Sequence, residues 1–145
     1  MEIKKLESAD ACAVLEIMER SFSVPWSLGT VETLISSENA SCLGAFEDGV
    51  LIGYAFLEQV LDEGSLTDIA VHPEHRRKGV SAALMQMLMQ KATNRNLAFV
   101  TLEVRASNTP AVSLYRKFGF EDVGRRPAYY TLPTEDALLM TKKLG

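Results

Sequence analysis

No apolar stretch in this chain approaches the roughly twenty residues that a membrane-spanning helix needs, so no span is expected. Cysteine is scarce: Cys12 and Cys42 are the only two, and they lie in no ligand-spaced pattern. That argues against a disulfide framework or a thiolate metal site. Both read as small apolar side chains in a reducing compartment. Histidine is equally scarce. His72 and His75 flank Pro73 and no second pair exists, so no metal is expected. Basic charge is not in excess either, and the net charge is −4. Broad nucleic-acid binding draws its affinity from a basic surface and is disfavoured. An acidic surface does attract a cationic substrate. The opening residues Met1 to Lys5 are charged with no apolar segment behind them, so a secretory leader is not expected and the cytoplasm is the default.

What is present suits one soluble domain. The 145 residues are 47% hydrophobic and 23% charged, enough for one core and too few for two ordinary domains, so residues 1–145 read as a single unit. Glu2 to Leu6 reads as a strand. Ser8 or Asp10 can cap the following helix, where Ala11, Val14, Leu15, Met18 and Phe22 keep the spacing of one buried face. Pro25 breaks it, and Ser27 can cap a second helix through Ile35. Strands follow from Ser41 to Phe46, Val50 to Leu61 and up to Val71, with turns expected at Asp48-Gly49 and at Asp62 to Gly64. The spacing then predicts a helix from Val80 to about Arg95, with Val80, Ala83, Leu84, Met87 and Leu88 inward and Met85 and Met89 widening the stripe. Ala98 to Val104 is a strand with Glu103 on its polar side. Asn108 or Thr109 caps a helix that ends at Gly119. Phe120 to Arg126 and Asp136 to Thr141 are the last strands, with Tyr129 and Tyr130 in the loop between them. The class is α+β: a mixed central sheet of about seven strands flanked by about four helices, with a right-handed parallel crossover from Leu66 to Val104.

One stretch invites chemistry. The apolar run Ile69, Ala70, Val71 ends at Pro73. Arg76, Arg77, Lys78 and Gly79 then lead directly into the helix that begins Val80, Ser81. The first amides of a helix lack intrahelical partners and carry the positive end of its dipole. Glycine lets backbone approach a ligand there. The stretch therefore reads as an anion site suited to a pyrophosphate, or as a charged loop before an amphipathic helix.

Arg76 to Ser81 resembles the acetyl-CoA pyrophosphate loop of the GNAT acetyltransferase family, with Ser81 where that family usually carries Gly or Ala. A narrower resemblance covers nearly the whole chain. Leu102 to Asn108, Ala111, Leu114, Tyr115 and Phe118 to Phe120 are similar to the ribosomal-protein alanine N-acetyltransferase branch of the family. Pro25-Trp26-Ser27, Asp68 to Val71, Tyr129-Tyr130 and Glu135 to Ala137 fit the same branch.

The resemblance implies transfer of acetyl from acetyl-CoA, as cosubstrate and without metal, to the N-terminal α-amine of a ribosomal protein. It implies Glu103 as base and Tyr115 as acid. Backbone of Ile69, Ala70 and Val71 would face the thioester and pantetheine arm, Arg76, Arg77, Lys78, Gly79, Val80 and Ser81 would hold the pyrophosphate, and Asn108 would contact the coenzyme. Trp26, Tyr129 and Tyr130 would wall the acceptor cleft. The residues alone leave each role open. Glu103 is also an ordinary solvent-facing glutamate, Tyr115 a core aromatic, Asn108 a plain helix cap, and Trp26 a hydrophobic plug. The chemistry is coherent: an α-ammonium with a pKa of about 7.7–8.0 must lose a proton before attack, and a tyrosine near 10 can protonate a thiolate whose conjugate acid is near 8.5. No cysteine lies in these motifs, which favours direct attack over an acetyl-enzyme. Two other readings share the coenzyme residues: a different acceptor amine, or a CoA-binding module without catalysis.

Overall fold

A computed structural model describes all 145 residues. In chain order the strands are β1 (Glu2–Lys5), β2 (Ala40–Glu47), β3 (Val50–Val60), β4 (Glu63–Val71), β5 (Phe99–Arg105), β6 (Glu121–Tyr130) and β7 (Glu135–Lys143). The helices are α1 (Ala11–Ser21), α2 (Leu28–Ser36), α3 (Val80–Asn94) and α4 (Thr109–Lys117). The seven strands form one sheet in the order β1-β2-β3-β4-β5-β7-β6. The β4–β5 pair alone is parallel, and α3 supplies its crossover. The expected α+β architecture is the one observed.

Alternation along the strands sorts side chains onto two faces. On one, Tyr54, Phe56 and Ala70 pack with Val14, Met18, Val31 and Leu34 of α1 and α2. On the other, Val100, Leu102 and Val104 pack with Leu84, Met85 and Leu88 of α3 and with Val112 and Tyr115 of α4. Ser27 caps α2 as expected, its hydroxyl accepting the Thr30 amide at 3.2 Å. Asn108 caps α4, its oxygen accepting the Ala111 amide at 3.3 Å.

Local departures have physical reasons. Neither Ser8 nor Asp10 caps α1 with its side chain. A short 3-10 turn, Ser8–Asp10, precedes the helix, and the Asp10 carboxylate accepts the Glu7 amide instead. Phe22 is exposed and Ile17 is buried, because the chain turns extended at Phe22. The β3–β4 turn is Leu61-Asp62. Gly64 is a paired strand residue whose missing side chain leaves room for Leu97, 2.8 Å from where a Cβ would stand. In α3 it is Met85 and Met89 that enter the core, while Met87 is 41% exposed. Val80 misleads the spacing: it is buried at the first turn of α3, against Gly53. Tyr129 and Tyr130 are not in a loop; β6 runs on to pair Tyr130 with Glu135. Cys42 is a core residue, and burial pushes its thiol up to about 12. Cys12 instead lies on the exposed side of α1.

The feature that positions everything below is a fault in the sheet. β4 and β5 pair only from Glu63 to Ser65 against Phe99 to Thr101. Beyond that, β4 stays with β3 as far as Val71 and β5 stays with β7 as far as Arg105. The two strands splay, leaving two unpaired edges facing each other.

Candidate active site

The splay presents backbone groups. The His72 amide donates to Ile52 at 2.8 Å, which makes that pair hydrogen-bonded in the antiparallel ladder. Alternation then turns the N–H and C=O of Ala70 toward β3 and those of Ile69 and Val71 into the gap. Of the three residues expected to face a coenzyme, two therefore offer backbone there. The Ile69 amide is already engaged, donating to the Asp68 carboxylate at 3.0 Å. The Val71 carbonyl accepts from Arg76 Nε at 3.2 Å.

The loop from β4 to α3 has the shape of an anion cradle. Arg77 (φ +64°) and Gly79 (φ +78°) both take left-handed conformations, which turn successive amides toward one side. At Gly79 that conformation is the reason for glycine, since a Cβ there would meet open space. Val80 and Ser81 open α3 with unpartnered amides. Arg77 and Lys78 are exposed and form no ion pair. Arg76 differs: its guanidinium is turned back onto Val71 and lies 3.4 Å from Ser21 of α1. It braces the loop from behind. These residues fit a pyrophosphate, with positive charge and amides ahead of the helix.

Glu103 and Tyr115 come to the splay from opposite faces. Glu103 projects from β5 on the side of α1 and α2, with its side chain 34% exposed and Oε1 at 3.9 Å from Arg126. Tyr115 sits on the α4 side, buried, its ring 6.0 Å from Phe120. Its pKa is pushed well up, by burial first and then by the negative charges of Asp68 and Tyr130. Tyr130 is pushed up to about 12, by burial first and then by the charges of Glu103 and Tyr129, against the pull of Arg105. Hydrogen bonding to Glu103, more than burial, raises Tyr129. Glu103, Tyr115, Tyr129 and Tyr130 thus share one electrostatic neighbourhood.

A clamp holds the β6–β7 end of the site. Arg105 donates to the carbonyls of Thr131 at 2.8 Å and Pro133 at 2.9 Å, and lies 3.3 Å from Glu135. Its guanidinium stacks over the Tyr130 ring at 4.6 Å. Glu135 in turn accepts the Ser107 amide at 2.6 Å. Across the cleft, Ser23 donates to Thr131 at 3.4 Å, tying the α1–α2 connection to the β6–β7 loop. Trp26 stacks on Phe56 at 5.7 Å. It is half-buried, plugging the core beside α1 and α2.

Two residues at the site escaped the sequence reading. Asp68 lies on β4 with Tyr54 donating to it at 2.9 Å. The available signals were a carboxylate inside the run Leu66 to Val71 and a tyrosine inside the apolar strand Leu51 to Leu57. Arg105 lies inside the Leu102 to Asn108 motif, which by itself assigns it no role. A cleft of about 560 Å³ lies elsewhere, along α2 between Ser27, Thr33 and Glu58, and is lined by neither Glu103 nor Tyr115.

The Acetyltransferase (GNAT) family model matches residues 11–120. The [ribosomal protein bS18]-alanine N-acetyltransferase of Escherichia coli (strain K12) is 36% identical over 142 residues, covering 95% of this chain and 94% of that one. The enzyme of the same description from Haemophilus influenzae is 34% identical over 141 residues, covering 95% of each. Among solved structures, the ribosomal-protein-S18-alanine N-acetyltransferase from Escherichia coli superposes with a TM-score of 0.92 at 34% identity, covering 99% of this chain and 94% of that one. Ard1 from Thermoplasma volcanium also gives a TM-score of 0.92, at 25% identity, covering 99% of this chain and 97% of that one.

Proposed function

The chain belongs to the acetyltransferase (GNAT) family as an N-acetyltransferase, and from that premise we propose that it acetylates the N-terminal α-amine of a ribosomal protein, with the alanine of bS18 as the leading acceptor. The observation that carries this reading is the splay, with Glu103 and Tyr115 reaching it from its two faces. Acetyl-CoA, once bound, supplies an activated thioester. Arg77, Lys78 and the amides of Gly79, Val80 and Ser81 hold its pyrophosphate, with Arg76 bracing the loop. The backbone edge of Ile69 and Val71 receives the pantetheine arm as an added strand. Asn108 contacts the coenzyme while capping α4.

The protein's own groups then divide the proton work. Glu103 takes a proton from the α-ammonium, and the freed nitrogen lone pair attacks the thioester carbon. The Val71 amide is the open donor aimed at the developing oxyanion. Tyr115, kept protonated by its burial, gives its proton to the departing sulfur. Trp26, Tyr129 and Tyr130 wall the entry for the peptide, and Arg105 fixes Tyr130 in place.

Positioned acid–base groups contribute about 10²–10⁴-fold. Glu103→Gln is therefore expected to lose about a hundredfold or more in turnover while still binding acetyl-CoA. Wild-type rates for that variant at neutral pH would remove the base role. Tyr115→Phe slows transfer, and an unchanged rate moves the acid role to water. The deciding assay compares an alanine-initiated bS18 peptide with the same peptide blocked at its α-amine. Transfer to the free amine only is the expected result. Transfer to small amines or lysine side chains instead would replace the acceptor, and coenzyme binding with no transfer to any amine would leave a binding module.

A further inference from the structure

Asp68 has two hydrogen-bond donors and no cation. Its Oδ2 accepts from the Tyr54 hydroxyl at 2.9 Å and its Oδ1 from the Ile69 amide at 3.0 Å. That amide belongs to the edge of β4 facing the splay, so the carboxylate bonded to it stands at the mouth of the splay. Asp68 shares a face of β4 with Ala70, two residues on, and Ala70 packs in the α1–α2 cluster. Glu103 leaves β5 on that same side. Tyr54 from β3 bonds Asp68 directly, and the charge of Asp68 is felt by Tyr115 of α4 and Tyr130 of β6. None is cationic, and no Lys, Arg or His forms an ion pair with it. Burial, against the two hydrogen bonds, pushes its pKa up to about 6.

A half-buried carboxylate in such surroundings is costly to ionise unless a positive charge arrives. Each oxygen keeps a lone pair after its one hydrogen bond. A primary ammonium fits, since it brings one positive charge and three donors in a compact head.

We propose that Asp68 is the seat of the acceptor's α-ammonium, holding the substrate nitrogen at the mouth of the splay while Glu103 removes its proton. This rests on the α-amine reading above and adds a second carboxylate to the acceptor site, one that binds rather than takes the proton. It assigns Tyr54 a role as well: the buried hydroxyl aims Asp68 and keeps it ionised at neutral pH. The aromatic series Trp26, Phe56, Tyr54, stacked at its first contact and tilted at its second, then ties the acceptor wall to the seat.

The test is a binding measurement that bypasses chemistry. Calorimetry with coenzyme A present, lacking the acetyl group, compares an alanine-initiated peptide with its des-amino analogue from about pH 5 to 7. An α-ammonium with a pKa of about 7.7–8.0 stays charged across that window, so Asp68 is the partner that changes. Wild type is expected to bind the amine peptide more tightly, with affinity falling as pH drops through about 6. Asp68→Asn should bind it about tenfold more weakly, with no fall over that range, and should bind the des-amino peptide as wild type does. Tyr54→Phe removes a hydrogen bond that favours the ionised form, so the fall should move to higher pH. A merely structural Asp68 would not produce that displacement. Equal affinity of wild type for the two peptides overturns the seat, as does equal weakening of both by Asp68→Asn. A wild-type enzyme that binds the amine peptide but transfers nothing to it fails the function above and not the seat.

Discussion

Asp68 also leaves a signature in stability. Its folded pKa of about 6 lies above the ordinary aspartate value, so the native state holds the proton more tightly than the unfolded chain. The corresponding stability is fully present below the ordinary value near 3.9 and is lost as pH rises through about 6. Glu135 and Asp136 act in the opposite sense. The Ser107 hydroxyl, then its amide and Arg105, lower the first, and the Ala128 amide with Arg125 lowers the second, so their contribution is lost as pH falls through the acid range. Wild type minus Asp68→Asn isolates the first effect. Denaturant titrations at intervals from about pH 4 to 7 should show wild type losing stability relative to the variant up to about pH 6, then running parallel. A constant difference across that range would mean that Asp68 titrates alike in the folded and unfolded chains. If the slope is present, neutral pH is where Asp68 costs the fold most and where an ammonium ligand gains most from it.

At the scale of elements, α3 separates what periodicity can say from what it cannot. Its existence, start and length follow from Gly79, the apolar repeats and the polar run that ends it. Its rotation does not, because Val80 is buried by the first turn rather than by the helix's inner face. The difference is measurable. Met85→Ala removes a fully buried side chain and should cost about 2–5 kcal/mol, whereas Met87→Ala, at an exposed position, should stay within about 0.5 kcal/mol. Comparable midpoint shifts for the two would put the helix in another rotation. The turn at Leu61 was hidden for a related reason. Glycine marks both turns and close approaches, and Gly64 serves the second purpose, against Leu97. Tyr129 and Tyr130, expected in a loop, follow Pro127 within β6. β6 is an edge strand, where proline is tolerated. The candidate residues Glu103, Tyr115 and Asn108 were legible through their motif. Asp68 was not, because its significance lies in what surrounds it, and single-strand periodicity carries no record of an absent counter-charge.

At the scale of the molecule, the splay divides the sheet into β1 to β4 and β5 to β7, joined by three paired residues on each strand and by the core under α3 and α4. Neither facing edge has a strand partner beyond Ser65 and Thr101, although both run on into the site. Under the proposed function a coenzyme arm laid between them is the missing strand, whose binding energy would add to folding stability because the unfolded chain has no such gap. At a hundred times its dissociation constant a ligand contributes about 2.7 kcal/mol. For a chain of this length that corresponds to a rise of roughly 5–11 °C in melting temperature. Coenzyme A should produce such a rise. Pantetheine alone should produce much less at the same concentration, because it lacks the pyrophosphate proposed to bind the loop of Arg77, Lys78 and Gly79. Hydrogen exchange places the effect on the sheet: the amide of Val71 should gain protection with coenzyme A, while that of Ala70, already paired to β3, should change little. Equal stabilisation by the two compounds would locate the affinity in the splay and deprive the loop of its role. Stabilisation by coenzyme A without new protection at Val71 would locate it in the loop and leave the two edges unbridged.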